Sequence, residues 1–181
     1  MKLLQPATTT SLIALLFLTS CTSEPIPNTP VANQSQNVDP TDYELGPFAD
    51  MANADELEVL ALHPYPYDEN APTATDETFH GYKVLGKSSI GMVEFLQLLQ
   101  LIAQGESEND DVAAACFDPR HGIRVTMKDG STQSLVICFA CLQINHYEND
   151  ERVENHLTSD RYKDQVTKIY ESLGLKIHKG Q

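Results

Sequence analysis

The spacing of apolar residues changes several times after residue 56, and each spacing predicts a different element. Residues 57–62 (LEVLAL) and 79–86 (FHGYKVLG) indicate two strands, although a short helix is an alternative for the first. The prolines of HPYPY end the first strand because each removes a backbone donor. Apolar side chains then recur at three- and four-residue intervals over 92–102, which predicts a helix with Ser88 or Ser89 as its N-terminal cap.

A β-hairpin is predicted over residues 123–139. Residues 123–127 alternate between apolar and polar, KDGS supplies the turn, and residues 132–139 form the returning strand. Because LVICF is apolar on both faces of the pleat, this strand should be central and covered on both sides. Residues 142–147 either continue it or form a neighbouring strand.

The C-terminal part has the spacing of an amphipathic helix that opens at Ser159 and ends at Gly174, a residue suited to a C-terminal cap. Its apolar positions are Tyr162, Val166, Ile169, Tyr170 and Leu173. The predicted element order is β-β-α-β-β(-β)-α. The fold class is therefore α+β, with a mainly antiparallel sheet and two helices packed on it.

An apolar run near the N-terminus has the features of an export signal. Lys2 gives it a positive start, and residues 11–18 are too few to span a membrane, which takes about 20 apolar residues. The run ends in LTSC, which resembles the lipobox of bacterial lipoproteins. That resemblance implies a signal peptide over 1–20, lipid including palmitate on Cys21, and sorting to the outer membrane because Thr22 follows. The alternative is an ordinary secretory signal in which Cys21 is incidental.

Residues 21–50 are rich in Pro, Asn, Ser and Thr and poor in apolar side chains. Ordering such a segment would cost roughly 1–2 kcal/mol of backbone entropy per residue, with little apolar burial to offset it. The composition therefore predicts a disordered tether. Residues 51–181 are then expected to form a single globular α+β domain.

The chain is strongly acidic, with 26 acidic and 12 basic residues and a net charge of −14. Removing the signal peptide would remove Lys2 and leave a net charge of −15. Such a chain repels phosphate backbones and anionic lipid, which excludes nucleic acid as a partner and leaves the lipid as the membrane anchor. The acidic runs over 106–111 and 148–151 are interpreted as solvated loops, since their spacing does not match an EF-hand calcium loop.

Three cysteines remain once the lipidated one is set aside, an odd number for a compartment in which disulfides form. One interpretation is a structural disulfide, which would join Cys116 to Cys138 or Cys141. A second is a zinc site built from the three thiolates and either His121 or His146. A third is a redox dithiol at Cys138 and Cys141, which requires a bend between them. A fourth interpretation is that the thiols are free and buried in the core.

Basic residues stand at the start of the predicted hairpin. A two-residue loop at 129–130 would place His121 opposite Cys138, and a loop one residue longer would place Arg120 there. Either basic group would favour the thiolate and lower the pKa of Cys138. Arg120, His121 and Arg124 could also bind an anion, although salt bridges to the surplus carboxylates are the commoner outcome for such residues.

Two strings in this region, CFDPRHGIR (116–124) and ICFAC (137–141), resemble motifs of a family of uncharacterised bacterial lipoproteins. GYKVLGK (81–87) is similar to an upstream block of that family, so the resemblance covers about residues 79–147. It implies no known activity, and it implies that the Cys, Arg and His cluster is the family's signature. Family members often carry an acidic residue between the last two cysteines, where this chain has Ala140.

No motif of a common catalytic class accompanies these residues. Ser88 and Ser89 lack the flanking glycines of a nucleophile elbow, and the sequence contains no phosphate loop or dinucleotide fingerprint. The sequence therefore favours a non-catalytic, lipid-anchored protein of the outer membrane that binds a periplasmic protein or a small ligand without a cofactor. The rival hypothesis is a thiol-redox or zinc site at Cys116, His121, Cys138 and Cys141.

Overall fold

The computed structural model describes residues 39–64, 75, 77–109 and 112–178. The predicted signal peptide, the lipid on Cys21 and the first part of the predicted tether lie outside these residues. Within the described part of the chain, none of the helices has both the length and the apolar content that a membrane crossing requires.

A seven-stranded sheet forms the centre of the domain. Its strands are β1 (Glu56–Leu62), β2 (Thr78–Phe79), β3 (Tyr82–Ser89), β4 (His121–Thr126), β5 (Thr132–Cys138), β6 (Gln143–Glu148) and β7 (Glu151–Leu157). They lie in the order β2-β3-β1-β4-β5-β6-β7, and every neighbouring pair is antiparallel. The predicted α+β class with a mainly antiparallel sheet is therefore confirmed.

Two helices, α1 (Met92–Ser107) and α2 (Lys163–Ser172), pack against one face of this sheet and form the main core with it. Burying one large aliphatic or aromatic side chain contributes about 1.5–3 kcal/mol, so this layer supplies much of the stability. The fully buried members of α1 are Phe95, Leu96, Leu98, Leu99 and Ile102. A smaller cluster that includes Leu60, Val84 and Val136 lies apart from the main core.

Strand β5 is buried along both sides of its pleat. Leu135 and Ile137 belong to the main core, whereas Val136 between them belongs to the smaller cluster, and all three are fully buried. Its neighbours on the two sides are β4 and β6. The prediction of a central strand covered on both faces is confirmed, and residues 142–147 belong mostly to the neighbouring strand β6.

The start of α1 differs from the prediction. Helix α1 begins at Met92 with Gly91 as its N-cap, and no side chain accepts a hydrogen bond there. Ser88 and Ser89 instead pair with β1 as the last residues of β3. The predicted serine cap is wrong because these residues continue the sheet.

Two tight turns divide segments that the sequence pattern left undivided. His80 (φ 48°) and Gly81 (φ 88°) join β2 to β3, and Asn149 (φ 47°) and Asp150 (φ 68°) join β6 to β7. Two successive residues with positive φ are the requirement of a type I′ hairpin turn. The predicted strand over 79–86 is therefore two strands, and the acidic run at 148–151 is a hairpin turn rather than a simple loop.

The β4–β5 hairpin has the longer of the two loops considered from the sequence. Met127 N–H donates to Ser131 at 2.8 Å, and Gly130 takes φ 85° inside the three-residue loop that this bond closes. His121 consequently pairs with Ile137. One step beyond that pair Arg120 comes opposite Cys138, as the longer loop predicted.

The C-terminal helix has the predicted ends. The Ser159 hydroxyl accepts from Arg161 N–H and caps a short 3-10 helix (Asp160–Tyr162) that leads into α2. After α2, Gly174 takes φ 81°, and Leu175 N–H donates to Tyr170 at 3.1 Å. This is the hydrogen-bond pattern of a glycine-terminated Schellman motif.

The domain begins earlier in the chain than the sequence indicated. Residues 40–53 contain two 3-10 helices (Pro40–Asp42 and Gly46–Asn53). Leu45, Phe48 and Met51 are buried in the main core, and their three-residue spacing matches the three residues per turn of a 3-10 helix. The predicted tether boundary at residue 50 is therefore too late, because these side chains give the segment apolar surface to bury.

Candidate binding cleft and its disulfide

A disulfide joins Cys138 at the end of β5 to Cys141 in the turn before β6. The bend between them is closed by Cys141 N–H, which donates to the Cys138 carbonyl at 3.2 Å, and Leu142 follows with φ 58°. Cys116, in contrast, is an exposed free thiol. The expected disulfide of Cys116 with Cys138 or Cys141 is therefore wrong, and the bend that a Cys138–Cys141 pair requires is present.

Backbone N–H groups point at the two sulfurs. Asp118 N–H donates to Cys141 Sγ at 3.1 Å and lies 3.4 Å from Cys138 Sγ, and Cys141 N–H lies 3.1 Å from Cys138 Sγ. Cys138 is 1% exposed and Cys141 is fully buried. Such donors would favour a thiolate if the bond were reduced, but burial restricts the approach of an attacking thiol.

The four residues proposed as zinc ligands do not converge on one point. Cys138 and Cys141 are joined to each other, and Cys116 is exposed. His121 Nε2 lies 3.1 Å from the Thr167 hydroxyl of α2 and hydrogen-bonds with it. In this oxidised arrangement the residues offer no shared thiolate site.

The arginines near the hairpin are paired with carboxylates. Arg120 forms a salt bridge with Asp118 at 3.3 Å. Arg124 bonds to Glu58 and lies 3.6 Å from Glu77. Because residues three apart on a strand face opposite sides, Arg124 does not share a face with His121. The predicted anion site of Arg120, His121 and Arg124 is therefore not formed, and the alternative of salt bridges is the one observed.

His121 is buried in the layer between the sheet and α2. Its ring lies edge-on to Phe139 at 5.4 Å and to Tyr170 at 4.9 Å between ring centroids. Burial lowers the pKa of His121 to about 3, and the positive charges of Arg120 and Lys163 act in the same direction. The imidazole is therefore neutral at neutral pH.

A cleft of about 390 Å³ opens beside the disulfide turn. One wall is the segment from Asp118 to His121, a second is the turn at Phe139 and Ala140, and a third is a polar face of α2. The α2 face and the C-terminal segment contribute Lys163, Asp164, Thr167, Lys168, Glu171, Ile177 and His178. The lining therefore carries both basic and acidic side chains.

Two polar atoms at this cleft are buried and have no hydrogen-bond partner in the structure. They are Asp118 Oδ1, an acceptor, and Arg120 Nε, a donor. Helix α2 is fixed beside them because the Tyr170 hydroxyl donates to the Gly122 carbonyl at 2.8 Å. The Asp118 and Arg120 atoms both belong to residues that line the cleft, but they are shielded from solvent in this conformation.

The sequence did not point to the α2 wall. Lys163, Thr167 and Glu171 recur at four-residue spacing, which puts them on one helix face, and this polar stripe was the available signal. A polar stripe is also what any solvent-facing helix surface shows, so the stripe becomes informative only when the disulfide turn is known to lie beside it.

No family model, no curated protein and no solved structure matches this chain. The resemblance of residues 79–147 to bacterial lipoproteins therefore stays a prediction. The function has to be argued from the sequence and from the geometry of the cleft.

Proposed function

We propose that this protein is a lipid-anchored component of the bacterial outer membrane whose periplasmic domain binds a protein partner without catalysing a reaction. Lipidation at Cys21 supplies the anchor, and the cleft beside the Cys138–Cys141 disulfide supplies the binding site. The observation that carries the binding function is the cleft itself, whose lining includes Asp118 and Arg120, each with a buried polar atom that has no hydrogen-bond partner.

The chemistry of these two atoms fits a peptide. Asp118 Oδ1 needs a hydrogen-bond donor, and Arg120 Nε needs an acceptor. A peptide group offers one N–H and one C=O, so an exposed segment of a partner in the cleft would satisfy both atoms once the Asp118 and Arg120 side chains turn toward it. The presence of lysines together with Asp164 and Glu171 in the lining favours a partner of mixed charge over a purely anionic one.

The disulfide supports a structural role for the cysteines. It holds the turn that carries Phe139 and Ala140, and both residues line the cleft. Both sulfurs are buried, and the segment before β4 lies against them through the Asp118 N–H bond. The Cys138–Cys141 disulfide thus preserves the shape of one wall of the cleft.

A thiol-redox function is the second candidate, because two backbone N–H groups lie against the sulfurs of Cys138 and Cys141. These donors would stabilise a reduced form and make the disulfide easier to reduce. The two candidates differ in whether a reductant reaches the buried bond in the folded protein.

A photo-crosslinking residue at Ala140 should capture a partner in intact cells. Ala140 is exposed and lines the cleft, whereas Asp129, the control position, is exposed in the β4–β5 loop. We expect one discrete adduct at Ala140 and none at Asp129. Combining the probe with Arg120→Ala should weaken that adduct, since the substitution removes Nε. An adduct of equal strength at both positions would contradict binding in the cleft.

Replacement of Cys21 by serine should release the protein from membranes, because it removes the proposed lipid and an acidic chain is not attracted to anionic lipid. Cell fractionation followed by immunoblotting measures the change. The wild-type chain should sediment with outer membranes and the Cys21→Ser chain should be soluble in the periplasm. Continued sedimentation of the variant would contradict the lipid anchor.

Thiol labelling separates the structural disulfide from the redox candidate. In the mature chain, with Cys21 blocked by lipid, Cys116 should label and Cys138 and Cys141 should not, and the Cys116→Ser variant should not label. A mild thiol reductant added without denaturant should leave this pattern unchanged, because Cys138 and Cys141 are buried. Rapid labelling of both under these conditions would instead support the redox function.

A further inference from the structure

The β6–β7 hairpin brings two histidines and a glutamate to one face, and none of them lines the cleft. His146 pairs directly with Glu154, and His156 lies two residues beyond Glu154 on β7. Directly paired residues and residues two apart on a strand share a face, so all three side chains leave the sheet on the same side. The Phe48 ring lies 6.3 Å from the His146 ring and 5.1 Å from the His156 ring between centroids.

Both histidines have an unused ring nitrogen. His146 is 7% exposed and His156 is 6% exposed, yet the Nε2 atom of each is buried without a hydrogen-bond partner. Glu154 Oε2 lies 3.5 Å from His156 Nε2 without forming a hydrogen bond. Leaving buried polar atoms unpaired costs free energy. Two of them beside a carboxylate indicate a position that a ligand would stabilise.

The three side chains are close enough to share one ion. A ligand atom of each lies within 4.8 Å of those of the other two. In a tetrahedral zinc site, metal–ligand distances of about 2.0–2.2 Å place ligand atoms roughly 3.4 Å apart. The widest pair of ligand atoms therefore has to close by up to about 1.4 Å. The Glu154 side chain is 62% exposed and has the freedom to make that movement.

A second carboxylate faces His156 from α1. Glu106 Oε1 lies 3.8 Å from His156 Nδ1. A carboxylate against one ring nitrogen of a histidine holds the proton there and leaves the other nitrogen to bind a metal. At 3.8 Å the two atoms are beyond hydrogen-bond distance, so Glu106 would orient His156 only after a small approach, which would leave Nε2 on the side of Glu154.

We propose that His146, Glu154 and His156 form a zinc-binding site on the β6–β7 hairpin. Two imidazole nitrogens and one carboxylate are ligands that zinc accepts, and the exposed Glu154 leaves the fourth position open to water or to a group from a partner. The site is separate from the thiolate site considered from the sequence, with which it shares His146 alone. It does not depend on the proposed binding function of the cleft.

Competition with a chromophoric chelator tests the site on the full chain, purified in detergent and stripped of metal. We expect one equivalent of Zn²⁺ to bind, and both Glu154→Gln and His156→Gln to weaken binding at least tenfold. Glu154 is largely exposed, so its substitution should not disturb folding. The matched control is His80→Gln: His80 also has a buried Nε2 without a partner, but it stacks on Tyr147, so its substitution should leave the zinc affinity unchanged.

Two further measurements make the result decisive. X-ray absorption of the zinc-loaded chain should show nitrogen and oxygen ligands without sulfur, and Cys116→Ser should bind zinc as the wild type does. Binding that is lost in Cys116→Ser and retained in Glu154→Gln would overturn the proposal in favour of a thiolate site. A wild-type chain that binds no zinc would overturn the proposal as well.

Discussion

Lowering the pH from 7 to 4 should reduce the free energy of unfolding by about 3 kcal/mol through His121 alone. The pKa of this histidine is about 3 in the folded chain, against an ordinary value of 6.5. Between pH 6.5 and about 3, the His121 side chain is protonated in the unfolded chain and neutral in the folded chain. Stability is therefore undiminished above pH 6.5 and is lost as the pH falls toward 3.

The pKa of His121 is low because the whole imidazole ring is buried, not because of one neighbouring residue. His121 is enclosed by Phe139, Tyr170 and Thr167, and the charges of Arg120 and Lys163 lower its pKa further. Ionisable groups elsewhere in the chain add their own contributions to the total pH dependence. For this reason the comparison between variants, not the total pH dependence, isolates His121.

Urea unfolding at several pH values measures the effect. His121→Gln removes the titrating group and should flatten the dependence by up to about 1.4 kcal/mol per pH unit. Thr167→Val is the matched control because it removes the hydrogen-bond partner and keeps the imidazole. It should lower stability at every pH without changing the slope. Equal slopes for wild type and His121→Gln would contradict the burial argument.

Phe48→Ala should destabilise the domain by about 3–5 kcal/mol, the range for removing a buried aromatic ring. Phe48 is 1% exposed and lies in a 3-10 helix that the composition of residues 21–50 assigned to a tether. The ring also packs against His146 and His156. The substitution should therefore leave a cavity between the N-terminal segment and the β6–β7 hairpin.

Asp50→Ala is the control for this prediction, since Asp50 is exposed in the same 3-10 helix. An exposed substitution of this kind should change stability by no more than about 0.5 kcal/mol. Denaturant unfolding of both variants gives the comparison. Similar small effects at the two positions would mean that residues 40–53 do not belong to the folded domain.

The sequence predicted the parts of the fold in which the spacing of apolar residues and the residues at the turns indicate the same element. Helix α1 has a broad apolar face, and Gly130 and Gly174 occupy positive-φ positions at a loop and at a helix end. Strand β7 was missed because only His156 among its residues is buried. Without alternating burial, an edge strand has no apolar pattern to reveal it.

Two turns were missed for a different reason. Asn149 and Asp150 adopt positive φ because their short polar side chains tolerate that conformation. Within an acidic run, however, the same residues indicate a solvated loop equally well. His80 precedes Gly81 inside an apolar segment, which masked the second turn. Local chemistry permitted these turns, and the pairing of β2 with β3 and of β6 with β7 selected them.

The sequence predicted several residues of the cleft and its disulfide, but not how these residues are arranged. The sequence singled out Cys138, Cys141 and Arg120, and the longer hairpin loop placed Arg120 correctly. The sequence did not show which two cysteines form the disulfide, because the bend that brings Cys141 to Cys138 leads into Leu142 at φ 58°. A leucine rarely adopts such a conformation, so tertiary contacts, including the Asp118 N–H bond to sulfur, have to stabilise it.

The place of β1 in the sheet also constrains the order of folding. Strands β4 to β7 follow one another through short connections, whereas β1 lies between β3 and β4 and meets β4 only after β2, β3 and α1 have been passed along the chain. Pairing across that span closes a long loop, and non-local pairing slows folding. We therefore expect the β4–β7 meander to form first and β1 to be the strand that completes the sheet.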